Sequence, residues 1–184
     1  MAHAHKAVTI QGVVEVLLAL GWLGQVLAQV GVATRSVLEN PHAANYHPGS
    51  VLDETLTAVA ALHGFTAAEQ VMTEATRRAL TGIIGPLAKL LMTLSGGGPR
   101  VLLERFETLA SGAGRGFKAK WLASSPTEGE LVVSTELVTP EVSNHAWKGT
   151  AAYLLTFAGV EGTVTILPRG NEGRDVRLGV KWVS

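Results

Sequence analysis

The chain has 184 residues, 47% of them apolar and only 16% charged, with 15 Lys+Arg against 15 Asp+Glu. This balance excludes a disordered chain and any net positive field that would draw the protein onto nucleic acid or anionic lipid. The lack of cysteine excludes disulfides, a thiolate nucleophile and Cys-held zinc or iron–sulfur centres, and is compatible with the cytoplasm. Near-zero net charge also weakens repulsion between copies and favours self-association.

The start, MAHAHKA, carries no secretory signal pattern. Residues 1–7 read as a flexible terminal tail, with residues 8–184 as one domain. His3 and His5 beside the amino terminus are at most a weak copper or nickel site. Ile10, Val13, Val14, Leu17 and Leu18 then open an apolar helical stripe that runs to about Val30. Val16 to Thr34 holds no charge, but Gly21, Gly24, Gln25 and Gln29 weaken it as a span of about 20 apolar residues. No transmembrane span is expected. The reading is a buried or dimer-forming helix, with Leu17, Leu20, Leu23, Gly24 and Leu27 as the seam of a homodimer.

ENPHAANYHPGS (39–50) reads as a loop, because two prolines and two asparagines cannot sustain a helix. Ser50 with Asp53 and Thr66 with Glu69 look like capping boxes at two helix starts. Leu52, Leu56, Val59 and Leu62 or His63 supply the face of the first helix, and Gly64 ends it. The second runs through Val71, Ala75 and Leu80 to a break at Gly85-Pro86, followed by another helical piece, LAKLLMTL. Gly96–Gly98 and Pro99 raise the question of a phosphate-binding loop. A Walker loop needs Lys and Ser/Thr after its last glycine and a strand before it. Here Pro99-Arg100 follows, so the glycines are a helix corner with Pro99 at the next helix start. Arg100 beside free backbone N–H groups leaves only a weak anion site.

After Gly116 the period changes to two. Phe117, Ala119 and Trp121 alternate with Lys118 and Lys120, and ELVVSTEL follows as a second strand. SNHAWKGTAAYLLTFAG returns to helical spacing through Trp147, Ala151, Leu154 and Leu155. GTVTILPRG and DVRLGVKWV form a hairpin across Asn171-Glu172-Gly173, with Val176, Leu178, Val180 and Trp182 on one face. The fold class is α+β: a helical N-terminal half followed by ββ-α-ββ with an antiparallel sheet.

This order resembles the fold shared by haem nitric-oxide sensors, 4-vinyl-reductase-type domains and TRAPP trafficking subunits. Within it the chain is similar, from about Val8 to Val183, to a paralogous family of uncharacterised proteins abundant in myxobacteria. The likeness rests on VTIQGVVE, YHPGSVLDETL, RRALTGIIGPLAKLL, GGPRVLLERF, FKAKWLASSPTEGELVV and VRLGVKWV. It implies binding of a small apolar molecule or a partner protein, and no catalytic residue carries over from it. The haem sensors hold iron with one helical histidine and grip the propionates with Tyr-x-Ser-x-Arg. That motif is absent: Tyr46 precedes His47-Pro48-Gly49, and Tyr153 precedes Leu154-Leu155-Thr156. His63 and His145, the histidines on helices, read as local packing or hydrogen-bonding residues. No cofactor and no metal site are expected.

No hydrolase elbow, zincin or deaminase signature occurs. Glu128 and Glu130 read as solvated carboxylates, Asp53-Glu54 as a helix first turn, and Arg77-Arg78 as a solvated face. The expected function is therefore a non-enzymatic protein-interaction or ligand-binding module that forms a homodimer. The alternative is a sensor or carrier holding a hydrophobic molecule or tetrapyrrole between helices and sheet. Its apolar pocket would be lined by Phe106, Leu109, Phe117, Ala119, Trp121, Trp147, Leu154, Leu178, Val180 and Trp182.

Overall fold

Helices dominate the first half because its apolar residues recur every three or four positions, and each buries one stripe. In the computed structural model, which describes residues 3–81, 86, 90, 93 and 98–183, this half comprises α1 (Ala7–Ala19), α2 (Leu23–Gln29), α3 (Val32–Glu39), α4 (Gly49–His63) and α5 (Phe65–Thr81). Val13 and Leu17 of α1, Leu56 and Val59 of α4, and Val71 of α5 are almost wholly inaccessible and form one apolar cluster.

The second half adds two short helices, α6 (Pro99–Glu104) and α7 (Phe106–Ala110), and then the strands. β4 (Phe117–Ser125), β5 (Glu128–Thr135), β6 (Gly162–Gly170) and β7 (Asp175–Trp182) form an antiparallel sheet of order β4-β5-β7-β6. Register places Leu131 opposite Leu178 and Val133 opposite Val176, so the alternating residues share one inner face. The β6–β7 turn needs left-handed backbone at Asn171, Glu172 and Gly173 (φ 47°, 54° and 87°), where Asn and Gly are tolerated best. A second cluster, with Leu102, Phe106, Leu131, Leu154 and Leu178 at its centre, fills this half.

The long helix α8 (Val142–Phe157) joins the two halves. Val142 and Ala146 belong to the helical cluster, and Ala151, Leu154 and Leu155 to the sheet cluster. α8 crosses α5 closely because Gly149 has no side chain: a Cβ there would lie 2.4 Å from the Glu69 carbonyl oxygen. Thr73 Oγ1 donates to both the Glu69 and Gly149 carbonyls (2.9 and 3.2 Å), and Lys148 Nζ meets Glu69 Oε2 at 2.9 Å.

Several sequence expectations change. The terminus is not a loose tail: Ala4–Lys6 form β1, the middle strand of a small sheet between β2 (Tyr46–Pro48) and β3 (Gly114–Arg115). The reason is non-local pairing, His5 with His47 and with Gly114. For the same reason the 39–50 segment contains a strand. The uncharged stretch from Val16 is not one helix: α1 and α2 are bent by 118° at Gly21, whose φ of 72° suits glycine. No single described helix is long and apolar enough to cross a membrane.

Leu17 is fully buried in its own chain's core, while Leu20, Leu23 and Leu27 pack partly buried against it and Gly24 is exposed. Burial in its own chain's core removes Leu17 from the expected seam. Neither capping box forms: the helices begin at Gly49 and Phe65, upstream of Ser50 and Thr66. Instead Ser143 Oγ donates to Asp53 (3.0 Å), and Glu54 accepts from the Gly31 N–H and the Thr34 hydroxyl, capping α3 from a distance. The Gly85 break, the LAKLLMTL helix, Gly96 and Gly97 lie outside the described residues, apart from single positions. Gly98 (φ 97°) does lead into Pro99 at the first turn of α6.

Candidate functional site

The small side chains of α5 and of the α7–β3 connection leave space where the two halves meet. Ala75 and Ala79 face Ala110, Ala113 and Gly114 across a cavity of about 90 Å³, partly open to solvent. Phe106, Leu109, Phe117 and Trp147 form an aromatic and aliphatic wall, with Met72, Leu80 and Leu154 completing the apolar lining. The Trp147 ring packs edge-on against Phe106 (5.7 Å between centroids) and Phe117 (5.4 Å), which fixes its position. No charged side chain lines the cavity among the described residues. Its polar groups are the hydroxyls of Thr9, Thr76 and Thr150 and the His5 ring.

His5 is the unusual member. It comes from β1, is 6% exposed, and stacks edge-on with His3 (4.5 Å). Gly114 makes room for it, since a Cβ there would approach His5 Nδ1 to 3.3 Å and the Ala4 carbonyl oxygen to 2.7 Å. Burial pushes its pKa down to about 3, with the neighbouring His3 adding to the effect, so the imidazole is neutral.

A second, smaller cavity of about 40 Å³ lies beyond His5, Met72, Trp147 and Thr150, which it shares with the first. Asp53, Ser143, Thr139 and His3 give it its polar side. Burial raises the Asp53 pKa and lowers that of His3. A larger groove of about 480 Å³ between α1 and α5 is a different kind of space, lined by Glu69, Gln70, Glu74 and Arg78. Its charges are internally paired, Arg78 with Glu15 at 2.9 Å and with Glu74 at 3.4 Å. Small-molecule sites are concave and mainly apolar, which singles out the cavity between the halves.

Of the residues expected to line a pocket, the structure brings Phe106, Leu109, Phe117, Trp147 and Leu154 to this cavity. It places the others elsewhere. Leu178, Val180 and Trp182 are 0%, 1% and 6% exposed and fill the sheet core. Ala119 packs against that core, and Trp121 lies over Gly129, 6.1 Å from the Trp182 ring. The cause is geometric: α8 closes over the sheet directly at these positions, and the cavity lies near the β4 end that adjoins β3. Sequence reading missed His5, Thr9 and the α5 wall. The repeated alanines at 75 and 79, spaced one helical turn apart, were the available signal.

Other residues resolve as local contacts. His63 stacks on Trp22 (4.1 Å) and His145 on Phe65 (4.7 Å). Glu130 is not merely solvated, since Arg177 donates to both its oxygens across the strands. Glu128 lies 3.7 Å from Lys181. Arg77 forks onto Glu74, and Arg100 pairs with Glu104 at 2.7 Å, which weakens the case for an anion at Arg100.

Comparison of the architecture with solved structures decides the fold. The chain is similar to the Fe(II) unliganded H-NOX protein from K. algicida, with a TM-score of 0.68 and 9% identity over 97% of both chains. It is also similar to an oxygen-binding H-NOX domain related to soluble guanylate cyclases, with a TM-score of 0.63 and 13% identity over 97% of this chain and 95% of that one. The fold is that of the H-NOX domains. No protein-family model and no curated protein matches the sequence. At these identities the likeness speaks for the fold alone.

The haem that the H-NOX fold implies can be tested against the residues. Among the described histidines only His5 lines the main cavity, and it sits on a strand rather than a helix. It has the neutral form that a metal ligand requires. However, among the described residues no arginine or lysine lines the cavity to hold propionates, and Tyr-x-Ser-x-Arg is absent from the sequence. The volume, about 90 Å³, is far below the roughly 300 Å³ at which sites for drug-sized ligands begin. Among the described residues, the lining offers neither the space nor the cations that a tetrapyrrole would need.

Proposed function

We propose that the protein is a non-enzymatic sensor or carrier that binds a small hydrophobic molecule between its helical half and its sheet. The observation that carries this reading is the uncharged cavity walled by Phe106, Phe117 and Trp147, at the junction of two otherwise well-filled cores. The H-NOX fold supports it, because solved neighbours of that fold include an Fe(II) H-NOX protein and an oxygen-binding H-NOX domain. The small volume, and the lack of a cationic lining group among the described residues, direct the reading to a compact ligand in place of haem. An engineered cavity of about 150 Å³ accommodates benzene, so about 90 Å³ with an open side suits a single small ring or a short chain.

Thermal unfolding with and without single-ring hydrocarbons tests it. A ligand at about 100 times its Kd stabilises by about 2.7 kcal/mol, and Ala79→Phe, which fills the cavity from α5, abolishes the rise. The same protein mixed with hemin shows no sharpened Soret band. A stoichiometric Soret shift, lost in His5→Ala, overturns the reading in favour of haem.

A further inference from the structure

The polar side chains on the cavity wall are not equivalent. Thr9 Oγ1 donates to the Ala113 carbonyl (2.8 Å), Thr76 Oγ1 donates to Thr150 Oγ1 (3.2 Å), and Thr150 Oγ1 donates to the Ala146 carbonyl (3.1 Å). The hydrogens of these hydroxyls are already donated within the protein. His5 is different: it is 6% exposed as a residue, borders both cavities, and forms no hydrogen bond among the described residues. Its ring nitrogens are not among the fully buried atoms that lack a partner, and so stay accessible to a small molecule. Most buried polar side chains have a partner, and a neutral imidazole can offer one donor and one acceptor. The strand that carries His5 is held on both sides, by β2 and β3, so the ring has a fixed position.

We infer that His5 is the polar anchor of the site, and that the ligand is a compact neutral molecule with an apolar body and a single hydroxyl. The hydroxyl pairs with the imidazole, and the body lies against Phe106, Phe117 and Trp147. Among the described residues no charged group lines the cavity, which argues against a carboxylate or an amine in that place, since burying an unpaired charge is prohibitive. His5 thereby sets specificity, separating an alcohol from the hydrocarbon of the same shape. This inference rests on the proposed function and narrows it.

The test is a two-by-two comparison of cyclopentanol and methylcyclopentane, which differ by OH against CH3, on the wild type and His5→Leu. Affinities are read from NMR titrations of the full chain. The expected result is that His5→Leu weakens cyclopentanol by about tenfold while methylcyclopentane binds as well as before or better. His5→Gln, which keeps a donor and an acceptor near the same place, recovers part of the loss. Equal changes for the two probes, or none, overturn the anchor and leave the hydrophobic site standing. So does a wild type that binds methylcyclopentane but not cyclopentanol. A wild type that binds neither probe overturns the site and the anchor together.

Discussion

His5 shows how one residue can shape the stability of the whole chain. Its folded pKa, about 3, lies well below the ordinary value of 6.5. Above pH 6.5 folded and unfolded forms are both neutral there, and nothing is lost. As pH falls from 6.5 towards 3 the unfolded chain takes up a proton that the fold refuses, so stability falls across that window. The integrated loss is on the order of 4 kcal/mol. His3, lowered by burial, acts in the same direction, whereas Asp53, raised by burial, opposes it in the carboxylate range. Urea denaturation from pH 7 to pH 4 should show a falling midpoint, and His5→Leu should flatten much of the slope; an unchanged slope would contradict the assignment. Leu178 makes a contrasting residue-scale case. It is fully buried in the sheet core, away from the cavity, so Leu178→Ala should destabilise by about 2–5 kcal/mol. Ligand affinity measured on the folded variant should stay at the wild-type value.

Among the elements, the α5–α8 crossing positions the cavity. Ala75 and Ala79 project from α5, Trp147 and Leu154 project from α8, and their separation depends on the close contact at Gly149. A methyl group at 149 meets the Glu69 carbonyl oxygen and Thr73 Oγ1, both nearer than 3.0 Å, and backbone cannot yield locally. Gly149→Ala should therefore push the helices apart and destabilise by about 1–3 kcal/mol. Chemical denaturation measures the loss. The paired readout is ligand affinity, which should change as well, because the Trp147 wall moves with α8. A variant of wild-type stability would mean that the crossing is looser than this geometry requires. The same crossing was invisible in the sequence, where the helical stripe runs through Trp147, Ala151, Leu154 and Leu155 and nothing singles out Gly149.

Across the whole molecule, two cores meet along α8, and the cavity is what their packing leaves between them. The sequence by itself determined the α+β class, the β4–β5 and β6–β7 hairpins and the α8 helix. These depend on local periods of two and 3.6 residues, and on turn residues such as Asn171 and Gly173 that tolerate left-handed backbone. It also marked Phe106, Leu109, Phe117, Trp147 and Leu154 as an apolar set facing inward. The tertiary structure decided the rest. Three residues at the terminus become a central strand only because His47 and Gly114, distant along the chain, supply its partners. Leu17 joins the core instead of a dimer seam because the chain turns by 118° after α1. Leu178, Val180 and Trp182 fill the core while Phe117 and Trp147 border open space, although all five look alike in a hydrophobic pattern. Periodicity reports which face of an element is buried; whether that face meets atoms or a void depends on the alanines and glycines of other elements brought opposite it.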